Sequence, residues 1–250
     1  SIAMPAASDG PPPVPRRRFQ FRLRTLLIAM LLVAVIVGLV TMQMREARRQ
    51  RKVVAHLQTL GARIGMHDSG SLMPALLDTR YLQRVHYVEM NGAPLKDAGV
   101  FADMMNLEEL YLWGTEIDDA APLSGLKKLR VLDLAQTKVR DIRPLTGLQN
   151  LKSLALAETP VEDFASLREL RGLREFYSYK STLDDLTPLA SLEHLEVLNI
   201  YSTPVRDLSP LLGLKALHSL DINDTAVSED SVTRLRASLP NCQIRYGSGR

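Results

Sequence analysis

Cysteine is nearly missing from this chain. Its single residue, Cys242, excludes an internal disulfide and a four-ligand zinc site of the cysteine-rich kind. A glycine-rich phosphate loop, a His-Glu-x-x-His helix and a Gly-x-Ser-x-Gly elbow are also missing, so the usual sequence marks of nucleotide binding, zinc proteolysis and serine hydrolysis are absent. The histidines, His56, His67, His86, His194 and His218, are scattered along the chain. On these grounds no catalytic residue, metal ligand or cofactor is assigned, and the chain reads as a non-enzyme. Aromatic side chains make up only 5% of the residues, which makes the places where they gather informative.

Net charge is small, +3 with a pI near 9.0, and its distribution matters more than its sum. Residues 1–84 hold 13 Lys/Arg against 4 Asp/Glu, a balance of +9, whereas residues 85–250 hold 18 against 24, or −6. The basic character therefore belongs to the first third of the chain. Nucleic-acid binding by the remainder is disfavoured, because neutralising phosphates needs a basic face.

What the chain does have is a period. Leucine recurs at Leu107, Leu129, Leu151, Leu173, Leu195, Leu217 and Leu239, always at the same step of twenty-two, with Val85 one step earlier. Within each step the first, fourth and sixth places are apolar, as in Leu129-x-x-Leu132-x-Leu134. That alternation predicts a short strand with one buried face. The ninth place is Thr or Ser (Thr115, Thr137, Thr159, Ser181, Thr203, Thr225), the thirteenth is Asp from Asp119 to Asp207, and Pro122, Pro144, Pro188 and Pro210 hold the sixteenth. A fixed step of this length is the mark of a solenoid.

At these residues the chain resembles the leucine-rich repeat family, whose frame is Leu-x-x-Leu-x-Leu-x-x-Asn. Its short repeat and Asp-x-x-Pro-Leu second half are most similar to the internalin-like bacterial class. The resemblance implies an α/β solenoid with a parallel concave sheet of about eight short strands, short convex segments and an α/β cap at the first coil. One departure is the Thr or Ser at the ninth place, where the family usually has Asn. A hydroxyl is expected to serve a similar ladder with less reach.

Four regions follow. Residues 1–15, rich in Pro and Ala, are expected to be disordered. Residues 16–44 comprise a basic flank and an apolar run from Thr25 to Met44 that contains no charge. As a helix that run would span roughly 30 Å, a bilayer core. An uncleaved transmembrane anchor fits better than a cleaved signal, since Val40 to Met44 offers no Ala-x-Ala site; a buried helix is the other alternative. Arginines before and after the run are nearly level, so the positive-inside rule gives almost a tie. The overall arrangement resembles membrane-anchored leucine-rich repeat proteins of planctomycete-type bacteria, which implies a single pass through the inner membrane with the repeats on the extracytoplasmic side.

Residues 45–84 read as a juxtamembrane helix to Leu60, with Val53, Val54, Leu57 and Leu60 on one face, ended by Gly61. A short strand (63–67) and a helix (72–82) would then cover the first coil. Residues 85–250 form the repeat domain, closed by a helix after Ser228. In its final half-repeat Cys242 stands at a leucine place and is expected to be buried. Acidic pairs such as Asp118-Asp119 and Asp184-Asp185 are read as turn caps rather than chemistry, because the thirteenth place is Asp almost throughout.

The third, fifth and seventh places should face the hollow side of the solenoid. Five of the seven tyrosines and the one tryptophan fall there. With about 4.8 Å between strands, Tyr177, Tyr179 and Tyr201 should touch, and Tyr87, Tyr111 and Trp113 should form a second group roughly 15 Å away. Rigid aromatics with polar tips suit interfaces. The sequence therefore points to recognition of an unidentified protein or other macromolecule through Tyr87, Glu109, Tyr111, Trp113, Asp133, Tyr177, Tyr179 and Tyr201. The alternative is a structural scaffold or envelope-associated spacer with no concave-face ligand.

Overall fold

The computed structural model describes residues 23–66 and 85–247; within the first helix the side chains of 23–25, 29, 43, 46, 47, 49 and 50 lie outside the description. The expected disorder of residues 1–15 and the expected helix over 72–82 fall outside it too. The chain divides into two compact units between Met42 and Gln43, and helix α1 (Leu23–Thr59) belongs to both.

In the first unit the described apolar side chains of α1 are all exposed, from Leu26 to Met42. Among the described residues no helix is long and apolar enough to cross a membrane.

The second unit is the solenoid. One sheet holds nine strands in sequence order: β1 (Arg63–Met66), β2 (Val85–Glu89), β3 (Glu109–Tyr111), β4 (Val131–Asp133), β5 (Ser153–Ala155), β6 (Glu175–Tyr177), β7 (Val197–Asn199), β8 (Ser219–Asp221) and β9 (Gln243–Arg245). The eight from β2 to β9 are parallel, and β1 closes the first edge antiparallel to β2. The second half of α1 lays Val54 and Leu57 into the same core, with Val53 and Leu60 partly buried beside them. Gly61, at φ +90°, ends that helix in the left-handed region.

Each coil buries more columns than its strand motif alone reveals. In the coil from Leu129, the residues at places 1, 4, 6, 9, 11, 14, 17 and 20 are all buried, ending with Ile142, Leu145 and Leu148. The last three come from the convex side, where the chain makes a single 3-10 turn such as Arg143–Gly147. The thirteenth-place aspartates open these turns. Asp119, Asp141, Asp163, Asp185 and Asp207 each accept the N–H two residues on, at 2.8 to 2.9 Å, the turn-forming habit of a short carboxylate. Asp97 does the same to Gly99 at 2.7 Å, so the coil that starts at Val85 opens its convex turn in the same way, although Ala93 replaces the ninth-place hydroxyl.

The ninth-place hydroxyls correct the expected ladder. Thr115, Thr137, Thr159, Ser181, Thr203 and Thr225 each donate to the carbonyl three residues back, at 2.6 to 2.8 Å. A Thr side chain is too short to cross the coil, so it closes its own turn.

The eighth place, just before it, is always left-handed: Gln136, Glu158, Lys180, Ser202 and Asp224 have φ between 51° and 55°, and Gly92 and Gly114 have φ of 68° and 69°. That conformation points the amide at the next coil, as in Gln136 N–H to the Ala157 carbonyl at 2.8 Å and Gly114 N–H to that of Ala135 at 2.9 Å. The inter-coil ladder thereby extends beyond the strands.

The last coil breaks step. Ser219 pairs with Gln243 and Leu220 with Ile244, two places later than the repeat alone would put them, because α2 (Glu229–Ser238), capped by Ser228, replaces the 3-10 turn. Ile244 therefore takes the fourth place, and Cys242 is only partly buried against the core rather than sealed within it.

Because non-glycine residues pay about 1 kcal/mol or more in the left-handed region, Gln136→Gly is expected to raise the unfolding free energy by about 1 kcal/mol. Gly114→Ala, whose Cβ would meet only ordinary contacts, is expected to lower it by about as much through backbone strain. Denaturant melts of the two variants check both signs.

Candidate functional site

The concave face begins with how each strand disposes its side chains. In every three-residue strand from β3 to β8 the middle residue is buried and its neighbours are half-buried. Third- and fifth-place side chains therefore share the hollow surface. Tyr87 and Tyr111 meet there, with ring centroids 5.7 Å apart and planes tilted by 50°. Beyond them Trp113 is 40% exposed. Its amide donates to Asn91 Oδ1 at 3.1 Å, which fixes the indole's backbone against the preceding coil.

Glutamates tie these rings down. Tyr87 Oη donates to Glu89 Oε2 at 2.7 Å, Tyr111 Oη to Glu109 Oε2 at 3.2 Å and Tyr177 Oη to Glu175 Oε2 at 3.3 Å. Side chains two residues apart on a strand share a face, so the pairing is a local consequence of the period. Glu89 also meets Arg63 of β1 at 3.4 Å, and Asp221 meets Arg245 of β9 at 3.7 Å. Both ends of the face thus bear an arginine against a carboxylate. Glu89 and Glu175 were legible as members of this set only by asking what each tyrosine hydroxyl could reach, and Asn91 only through the Trp113 amide.

Asp133 has a different job. Its Oδ1 accepts the Ala135 amide at 2.9 Å, and Asn199 and Asp221 do the same for the seventh-place amides of Tyr201 and Asn223, each at 3.1 Å. At the fifth place a short acidic or amide side chain therefore satisfies backbone.

Of the two expected aromatic groups, only the Tyr87–Tyr111 pair shows a ring contact among the described residues. Tyr87 and Tyr111 pair in the first two coils, with Glu109 opposite Tyr87 and Asp133 opposite Tyr111 in the strand register, and Trp113 follows two residues after Tyr111. Among the described residues no ring contact joins Tyr177, Tyr179 and Tyr201. The seventh place lies past the strand end, in the turn before the left-handed residue, so Trp113, Tyr179 and Tyr201 alike do not continue the flat sheet that holds Tyr111 and Tyr177. Ala135 and Ala157, also seventh-place residues, are buried. Among the described residues no group of three or more His, Cys, Asp or Glu could hold a metal ion.

Ionisation follows this packing. Burial, then the Glu109 charge and hydrogen bond, push the Tyr111 hydroxyl up to about 12. Tyr177 is raised by burial and by Glu175, and Tyr87 chiefly by its hydrogen bond to Glu89. Burial also raises the Asp133 carboxyl, partly offset by the Ala135 amide. The folded chain holds the Tyr111 proton more tightly than the unfolded one. Its contribution to stability is therefore complete below the ordinary value of 10.0 and is lost as pH rises through about 12. Tyrosinate absorbance followed against pH is expected to show a last step near 12 that Tyr111→Phe removes.

Comparison with known proteins agrees with this geometry. A model of tandem leucine-rich repeats (two copies) matches residues 106–147. An internalin (InlF) from Listeria monocytogenes is 27% identical with a TM-score of 0.65, covering 80% of this chain and 54% of its own; the chain thus spans about half the length of that protein. Internalin C2 from the same organism is 23% identical with a TM-score of 0.54, covering 66% of this chain and 82% of its own. A leucine-rich repeat protein of Leptospira interrogans is 22% identical with a TM-score of 0.55, covering 58% of this chain and 38% of its own. No curated protein sequence matches. With the repeat frame buried as leucine-rich repeats require, a leucine-rich repeat model matching residues 106–147 and internalins among its structural neighbours, residues 85–247 form a leucine-rich repeat solenoid.

Proposed function

We propose that this chain is a membrane-anchored recognition protein whose repeat domain binds a protein partner through its concave face. One observation carries the binding part: two tyrosine rings in contact, their hydroxyls held by glutamates, with a tryptophan that is 40% exposed two residues after the second of them and its backbone amide bonded to Asn91. Pre-positioned aromatics with polar tips are where interface energy concentrates, since they lose little freedom on binding. Glu109 belongs to the same coil as Tyr111, and Asp133, Tyr177, Tyr179 and Tyr201 extend the surface along later coils.

The anchor rests on the uncharged run Thr25 to Met44 and on the exposed Leu, Ile, Val and Met side chains of that helix. A helix apolar on every side suits a lipid environment rather than water. Placement of the repeats on the extracytoplasmic side of an inner membrane follows the resemblance to planctomycete-type anchored proteins. A spacer without a concave ligand is the second reading. Its support is that α1 carries an exposed cationic row outside the concave face.

Full-length chain purified in detergent and used as bait tests the binding part. Tyr87→Ala with Trp113→Ala is expected to weaken capture of a partner about thirtyfold, the effect of losing one interface hot spot. Equal capture by wild type and variant would leave only the spacer.

A further inference from the structure

We propose that a groove between the second half of α1 and the first convex 3-10 turn binds the phosphate headgroup of an acidic glycerophospholipid. This rests on the membrane-anchor reading above and adds a ligand to it. Arg45, Arg48, Lys52, Val53, His56 and Val100 line a cavity of about 520 Å³, Val100 coming from the turn Ala98–Phe101.

Positions 45, 48, 52 and 56 recur at helical steps of three and four, so their side chains share one face. At 1.5 Å per residue the row is about 16 Å long. All four of these side chains are exposed, while Val53 and Val100 are half-buried. Among the described residues no carboxylate lines the groove. Among the described residues none forms an ion pair with Arg45, Arg48 or Lys52.

Cationic tips above an apolar wall fit a ligand that is itself divided between a phosphate and a hydrocarbon. The arginine and lysine stems add to that wall. A soluble phosphate or an acidic peptide would use the charges and leave the valines idle. Arg45 is also the residue that immediately follows the uncharged run ending at Met44, which is where the chain would enter a headgroup layer. A fork-shaped guanidinium suits phosphate oxygens, and the row supplies two of them.

The full chain, reconstituted in nanodiscs with equal phosphatidylglycerol and phosphatidylcholine and then extracted in detergent, tests this by native mass spectrometry of the retained lipid. Wild type is expected to keep phosphatidylglycerol over phosphatidylcholine by about tenfold, a modest share of what three surface cations can contribute. Arg45→Gln with Arg48→Gln and Lys52→Gln is expected to abolish that preference. Lys128→Gln with Arg140→Gln and Arg206→Gln, an equal charge change on exposed solenoid positions, is expected to preserve it. The proposal is overturned if the first variant keeps the preference or if both variants lose it equally. Displacement of the lipid by inorganic phosphate overturns it as well, by assigning the groove to a soluble anion. A membrane-inserted wild type with no lipid preference sinks the groove and leaves the anchor standing. Release of the chain from membranes by alkaline carbonate sinks both.

Discussion

The structure depends on one constraint: every coil must present its backbone amides to the next while turning all its leucines inward. Neither is possible alone. Strands of only three residues bury one side chain each, far too little to hold a sheet together, so the convex turns must contribute the rest of the core. The left-handed eighth residue connects the two demands. It rotates the chain out of the sheet while keeping its own N–H bonded to the neighbouring coil. Beyond it, the ninth-place hydroxyl closes the turn and the thirteenth-place carboxylate opens the next. No backbone group on this route has to be buried without a partner.

Most of this was legible in the sequence, because stacking converts one spatial column into one residue type. Leu132, Leu154 and Leu198 are buried where the period puts them, and Asp141 and Asp207 cap the turns assigned to them. Three features escaped. The eighth place carries Gln, Glu, Lys, Ser, Asp or Gly with no shared chemistry, since its common property is a backbone angle rather than a side chain. The final register slips by two residues because the leucine at Leu239 keeps the period that α2 interrupts, and only the pairing of Ile244 with Leu220 reveals it. The seventh place keeps the alternation of the strand but already belongs to the turn, which separates Tyr179 and Tyr201 from Tyr177.

On the hollow face the same geometry makes a surface from short-range pairs. A tyrosine at the third or fifth place finds a glutamate two residues away, and its ring is held in place before any partner arrives. Charge is arranged outside this surface as well. Opposite charges meet across a single repeat step at the second place, where Arg174 meets Glu196 at 2.7 Å, and at the eighth, where Lys180 meets Glu158 at 3.4 Å. These exposed pairs contribute little to stability individually. They keep like charges from stacking in those two columns, whereas the thirteenth-place aspartates stack in a column of one sign. The cationic excess is confined to the chain before it, and the aromatic and cationic surfaces therefore offer two chemistries suited to different partners.

If coils are the unit of construction, one can be removed whole. Excision of residues 129–150, one full repeat, joins Lys128 to Leu151 with every column still in register. Circular dichroism melts are predicted to show this shorter chain folded and cooperative, with a modestly lower midpoint. Excision of half that length, residues 129–139, is predicted to abolish the transition. Equal behaviour of the two deletions would contradict the account.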